Sequence, residues 1–138
     1  APLGHDFAML SLSDRLKPWR TVEKRLRAVL DADMAFAVYN PASKTRRAQV
    51  VALRDLLAEY RDPETPVIVA RAVGAPEEKV TVTTVAEFAP EVVDMRTMLI
   101  VGASSTRAYD GVDGVRVFTA RHYGGGGFAG TGALGGDR

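Results

Sequence analysis

The sequence predicts an α/β sandwich built on a mixed sheet, and three observations carry that prediction. Short apolar runs at 34–39, 67–70 and 98–101 have strand length and are too short for helices. Two longer segments, opening near Pro18 and Ser43, repeat apolar residues at helical spacing. The strand-like runs 67–70 and 79–83 are separated only by a turn. A pair joined that way is antiparallel, so the sheet is mixed.

Taken in order, residues 8–12 are a short apolar segment, an edge strand or a connection entering the domain. Pro18 sits where a first helical turn tolerates proline. Val22, Leu26, Val29 and Leu30 then line one side of a helix whose other positions are charged. Residues 34–39 form a buried strand that stops at Asn40-Pro41. Ser43 caps a second helix running to about Tyr60, with Val50, Leu53, Leu56, Leu57 and Tyr60 on its apolar face. Prolines 63 and 66 break the chain before the strand 67–70. Residues 79–83 alternate Val80 and Val82 with polar residues, as a half-exposed strand does. The spacing Thr84 to Glu87 is that of a capping box, which predicts a short helix there. Residues 98–101 are a further buried strand, and 115–118 a weaker one after an Asp/Gly turn. The glycine-rich stretch 124–138 has too little to bury and is expected to be disordered.

Composition narrows the function. The chain has 138 residues, 46% apolar and 25% charged, enough for one domain with a core. A net charge of +1 does not point to nucleic acid or to an acidic membrane. Without cysteine there is no disulfide, thiolate catalysis or Cys-ligated zinc, and two histidines make a His-rich metal site an unattractive reading. No apolar run approaches the ~20 residues that span a bilayer. The N-terminus has no signal-peptide pattern and no starting Met, so the chain reads as a piece of a longer or processed protein.

Five places invite chemistry. The strand end Tyr39-Asn40-Pro41 suits a ligand outside the carboxyl end of an α/β sheet, although local pattern alone favours a plain turn. Ala72 and Thr83-Thr84 end successive strands and together suit a flat heterocycle, unless Thr84 merely caps a helix. The loop Gly102-Ala103-Ser104-Ser105-Thr106-Arg107 offers hydroxyls to phosphate but lacks a P-loop Lys; a solvated loop is the simpler reading. Lys44, Arg46 and Arg47 suit carboxylates or are a solvated helix face. His5-Asp6 with Ser13-Asp14 names the residues of a triad without a nucleophile elbow. The run 124–127 lacks the strand-to-helix context of a phosphate loop.

Several of these segments belong to one pattern. Gly4-His5-Asp6-Phe7, Ser11-Leu12-Ser13-Asp14, Pro18-Trp19, Tyr39-Asn40-Pro41 with Ser43 and Arg46, Thr65-Pro66-Val67, Val93-Asp94-Met95 with Thr97, and Gly102 with Ser104, Thr106 and Arg107 follow one another in order. Together, over roughly residues 2–123, they resemble the tetrapyrrole methylases of cobalamin synthesis. The resemblance implies the carboxyl-terminal domain of such an enzyme, a three-layer αβα sandwich with a mixed sheet. Residues 1–17 would be a junction from a missing amino-terminal domain, 18–123 the domain itself and 124–138 the tail.

The resemblance further implies S-adenosylmethionine as methyl donor, with no metal. It places Tyr39 and Asn40 along the cofactor and Ala72, Thr83 and Thr84 by the adenine. Ser13, Asp14, Arg46 and Arg47 are the implied contacts to a polycarboxylate substrate. The implied reaction is methyl transfer to C17 of precorrin-3B with ring contraction, by a cytoplasmic homodimer that binds neither nucleic acid nor membrane. No acid/base group for the contraction emerges from the residues. The rival readings are a non-catalytic α/β interaction module and a nucleotide-binding regulator.

Overall fold

A computed structural model describes residues 2–41, 47–112 and 114–120. The elements are β1 (Phe7–Ser11), α1 (Trp19–Asp31), β2 (Ala35–Tyr39), α2 (Ala48–Tyr60), β3 (Pro66–Arg71), β4 (Lys79–Thr84), a 3₁₀ turn (Pro90–Val92), β5 (Thr97–Val101), β6 (Thr106–Gly111) and β7 (Gly114–Thr119). A five-stranded mixed sheet has the order β1-β2-β5-β3-β4, and β6 and β7 form a separate hairpin. β1 and β2 are parallel; β5 is antiparallel to both β2 and β3; β3 and β4 are antiparallel. The sheet therefore begins within the stretch read as a junction, since β1 pairs with β2 over its whole length.

Both crossovers, β1-α1-β2 and β2-α2-β3, step the same way across the sheet. Crossovers of one hand then lay both helices on one face. The packing agrees. Val22, Leu26 and Leu30 of α1 and Val50, Leu53, Leu56 and Leu57 of α2 join one core with Phe36, Val38, Val67, Val69, Leu99 and Val101. Register puts Phe36, Val101 and Val67 in one row and Val38, Leu99 and Val69 in the next, so these strand residues share the helix-facing side. The opposite side carries Met98, Ala70 and Val80 in one row and Ala37, Ile100, Ile68 and Val82 in the next.

The helices form where the apolar spacing placed them. α1 ends in a Schellman motif: Met34 N–H bonds Val29 O at 3.1 Å and Asp33 N–H bonds Leu30 O at 3.1 Å. The left-handed position that usually takes glycine is held by Asp33, with φ 58°. α2 begins at Ala48; the cap expected at Ser43 lies outside the described residues, as do the stretches 124–127 and 124–138.

Two local expectations fail for identifiable reasons. Thr84 does cap, accepting the Glu87 N–H at 3.3 Å, but no helix follows. Ala89, which precedes Pro90, is extended at φ −108° and ψ 113°, so the chain leaves helical angles little more than one turn beyond Thr84. The loop expected over 102–107 runs instead into β6, because Thr106 pairs with Thr119 and returns the chain as a hairpin.

One buried cation ties the end of the sheet where β2 starts and β5 ends. Arg61, 7% exposed, follows α2. Its Nη1 donates to Leu30 O at 2.9 Å, Nη2 to Met34 O at 2.8 Å and Nε to Gly102 O at 3.0 Å. Burial pushes the guanidinium pKa down, and the Asp33 carboxylate, 3.9 Å away, opposes that shift. Arg61→Leu removes the donor from three carbonyls; Leu30 O keeps the Asp33 N–H, so Met34 O and Gly102 O are left short at ~1–3 kcal/mol each, and a loss of at least ~2 kcal/mol is expected. Arg61→Lys should recover only a fraction, because one amine cannot span three acceptors. The urea midpoints of both variants measure this; a loss below ~1 kcal/mol for the leucine would mean the carbonyls find other donors.

Candidate functional site

The strand directions divide the candidate residues between two ends of the sheet. β1, β2 and β3 all point one way, so Ser11, Tyr39 and Arg71 close their strands at one end, with the first residue of β5, Thr97, beside them. In open α/β sheets ligands sit outside such carboxyl ends. Ser13 and Asp14 follow β1 at this end, where Leu12 N–H bonds Tyr39 O at 3.1 Å. Tyr39 is 41% exposed although it ends an otherwise buried strand.

Backbone strain marks the same end. Asn40 has φ 53° and Ala72 has φ 56°. Left-handed backbone costs a residue with a Cβ ~1–2 kcal/mol, and alanine has no polar side chain to offset it. Surroundings hold Ala72 there: its N–H bonds Arg96 O at 2.9 Å and its carbonyl accepts Ala75 N–H at 3.0 Å. Two strained strand ends separated by one strand make this crevice the candidate site.

Asp94 organises the crevice wall, a role that its position in the motif did not disclose. Its Oδ2 accepts Arg71 Nε at 2.8 Å, and its Oδ1 accepts the Arg96 N–H at 2.9 Å and the Thr97 hydroxyl at 3.0 Å. The turn into β5 and the end of β3 thus share one carboxylate. Burial pushes the Asp94 pKa up, but the bonds from Arg71, the Arg96 N–H and Thr97 outweigh it and hold it below the ordinary carboxylate value. The readable signal was Asp followed three residues on by Thr, the spacing of a side-chain-closed turn. Register also brings Met98 into this end, opposite Ala70.

Thr83 and Thr84 are not part of this arrangement. The sequence reading had them share a strand end with Ala72, but β4 runs back along β3 and sets Thr84 opposite Pro66 and Thr83 opposite Val67. Six residues of β3 separate that end from Ala72, about 20 Å at strand rise. Thr83 and Thr84 instead line a concavity of about 780 Å³ with Asp33, Arg61, Glu87 and Arg107. The 102–107 segment is at that end too. The Ser104 N–H and hydroxyl bond the Asp33 carboxylate, Ala103 N–H bonds Thr106 Oγ1 at 2.8 Å, and Arg107 Nη1 bonds Ser104 O at 2.7 Å. Its hydroxyls thus close the loop on itself and on α1, which removes the phosphate reading. His5 and Asp6 precede β1 and Ser13 and Asp14 follow it, so the strand keeps the triad residues apart.

The basic set fares differently residue by residue. Lys44 and Arg46 lie outside the described residues. Arg47 does not face open solvent for a substrate: Nη1 donates to Val93 O at 2.6 Å and Nη2 to Pro90 O at 2.5 Å. Its task here is to anchor the 3₁₀ turn to the start of α2. Among the described residues no group of three or more His, Asp or Glu side chains is arranged to hold a metal ion. None of the described helices is long and apolar enough to cross a membrane.

Comparison with known proteins bears on the fold and the family. Residues 1–89 match the family described as Tetrapyrrole (Corrin/Porphyrin) Methylases. The chain is 51% identical over 127 residues to the cobalamin biosynthesis protein CobIJ of Mycobacterium bovis, covering 89% of this chain and 25% of that protein. It is 42% identical over 127 residues to the precorrin-3B C(17)-methyltransferase of Sinorhizobium sp, covering 91% of this chain and 50% of that one. The crystal structure of the methyltransferase CobJ superposes with a TM-score of 0.79 at 42% identity, over 87% of this chain and 48% of that one. A uroporphyrin-III C-methyl transferase from Thermus thermophilus, complexed with S-adenosyl homocysteine, shares the fold at TM-score 0.51 and 20% identity, over 74% of this chain. The chain spans a quarter to a half of the length of the first two relatives.

The Asp94 node generates a pH dependence. A carboxyl group whose folded pKa is depressed stabilises fully above the ordinary carboxylate range, and that contribution is lost as pH falls through the lowered folded value. Asp94→Asn should therefore cost most near neutrality, by a modest amount because the pair is half-exposed, and the difference from the parent should shrink below about pH 4, flattening the acid limb. Thermal unfolding of both proteins across that range measures it; parallel acid limbs would remove Asp94 as the node.

Proposed function

This chain belongs to the tetrapyrrole (corrin/porphyrin) methylases, and from that premise we propose that it forms the carboxyl-terminal half of a methyltransferase acting on C17 of precorrin-3B. The observation that carries the reading is the convergence of Tyr39, Asn40 and Ala72 at one sheet end, two of the three in left-handed backbone. The names of the relatives supply the substrate and the position of methylation.

The residues fit the cofactor. Ala72 and Ala70 are small, Met98 is apolar and the Tyr39 ring is half-exposed, which suits a flat heterocycle and a thioether chain; the Asn40 amide both donates and accepts. S-adenosylmethionine, when bound, supplies a methyl group already activated on a sulfonium, so the reading calls for no metal. What this chain contributes is position and exclusion of water, the main requirements for in-line transfer to carbon. The proposed cofactor set is Tyr39, Asn40 and Ala72; Thr83 and Thr84 are left out because strand reversal sends them to the other end. Ser13 and Asp14 stay in the substrate set because they follow Leu12, whose N–H bonds Tyr39 O. Arg46 stays on the resemblance alone, and Arg47 is left out by its carbonyl bonds. The same reading extends to a missing amino-terminal domain that closes the crevice, and to a cytoplasmic homodimer.

Calorimetric titration with S-adenosylhomocysteine tests the proposal, on this chain alone and with the amino-terminal half of the Sinorhizobium relative. Half a cleft binds weakly, and the added half should tighten binding at least about tenfold. Tyr39→Ala and Ala72→Val should each cost about tenfold or more, and Thr84→Ala little. A Thr84→Ala loss as large as that of Ala72→Val would move the nucleoside to the other end and refute the arrangement.

A further inference from the structure

We infer that Lys17 and Arg25 form a carboxylate-binding subsite for the acidic tetrapyrrole, at the outer edge of β1 beside Tyr39; this rests on the function proposed above. The two side chains line a small pocket of about 110 Å³ with Met9, Leu10, Ser11 and Tyr39. The pocket adjoins the strand end that carries the proposed cofactor contact. Lys17 comes from the loop after β1 and Arg25 from the second turn of α1, so two elements aim cations at one place.

The charges are available, in contrast to those of other cations in the domain. Arg27 is paired with Glu23 and Glu59, Arg71 with Asp94, and Arg96 with Glu77. Arg47 and Arg61 are held by backbone carbonyls. Neither Lys17 nor Arg25 has a carboxylate partner among the described residues; Lys17 Nζ makes one long bond, 3.4 Å, to Ser13 O. A ligand with several carboxylates around an apolar ring matches this layout: the exposed Met9 meets the ring, and the two cations meet its acidic arms. The subsite takes over the role that the sequence reading gave to Arg47.

The test uses uroporphyrin, with an acetate and a propionate on every pyrrole ring, and deuteroporphyrin, which has far fewer acidic arms. Both are titrated by fluorescence into the 138-residue chain. Reversing both charges, Lys17→Glu with Arg25→Glu, should weaken uroporphyrin binding at least about tenfold, with less effect at high salt. The control, Lys24→Glu with Arg54→Glu, changes the net charge equally at exposed positions outside the pocket and should cost less than about threefold. Equal losses in the two doubles would reduce the effect to net charge and overturn the subsite, as would uroporphyrin binding no tighter than deuteroporphyrin or not at all. Circular dichroism of each variant separates lost binding from lost fold, and a misfolded double is replaced by Lys17→Gln with Arg25→Gln, judged by the same criterion. S-adenosylhomocysteine binding to the unaltered chain and its partner half decides the proposed function separately. Its failure beside a pocket-dependent porphyrin affinity would sink the methyltransferase reading and leave the subsite standing.

Discussion

The placement of β5 is the constraint on which the rest of this structure depends. It pairs with β2 on one side and β3 on the other, antiparallel to both. A strand inserted that way forces β2 and β3 to point in the same direction, so their carboxyl ends open at one edge of the sheet. It also delivers its own first residues, Thr97 and Met98, to that edge, between the two ends. Every backbone group of β5 that pairs does so with a buried neighbour strand, and Leu99 and Val101 complete the core rows. The crevice is a by-product of hydrogen-bond geometry before it is anything chemical.

The two ends of the sheet then do different work. At the end where β5 finishes, donors and acceptors are consumed internally: Arg61 binds three carbonyls, Asp33 binds Ser104, and Thr106 pairs with Thr119. That end is a clamp joining α1, α2 and the β6-β7 hairpin. At the other end one carboxylate, Asp94, fixes the rim, while Asn40 and Ala72 stay in strained backbone and Tyr39 stays open to solvent. Strain is tolerated where surrounding bonds over-determine it, and it is found at sites that must present backbone or small side chains closely to a ligand.

Positive charge is largely committed to internal partners, at the crevice end too, where Arg71 pairs with Asp94 and Arg96 with Glu77. Near the clamp and along α2, arginines are tied to carbonyls and carboxylates, and little is left for a ligand. Around the carboxyl end of β1, Lys17 and Arg25 have no carboxylate partner among the described residues and line a pocket with Tyr39. A methylase whose donor nucleoside sits over β2 and β3 would meet an acidic macrocycle from the β1 side, across the ring of Tyr39.

Much of this was legible in the residues. The two helices, the strands over 67–70, 79–83 and 98–101 and the mixed character of the sheet follow from apolar period and turn residues, because these are local signals. The strand end at Tyr39-Asn40-Pro41 was legible for the same reason. Pairing direction was not: Ala72 and Thr84 close successive strands in sequence, but only the antiparallel β3-β4 register sends them to opposite ends. Nor could the chain reveal that Val85 and Ala86 give their N–H groups to Thr65 and Pro63, which docks the turn after Thr84 on the segment leading into β3. The tasks of Arg47, Arg61 and Asp94 were hidden likewise, since each partner set includes groups remote in sequence. The sequence by itself determined which segments are helices and strands, because those depend on neighbours within a few residues. Only the tertiary structure decided which strand ends meet and which charges stay free, because hydrogen-bond partners between strands and across the core are chosen by the packed whole.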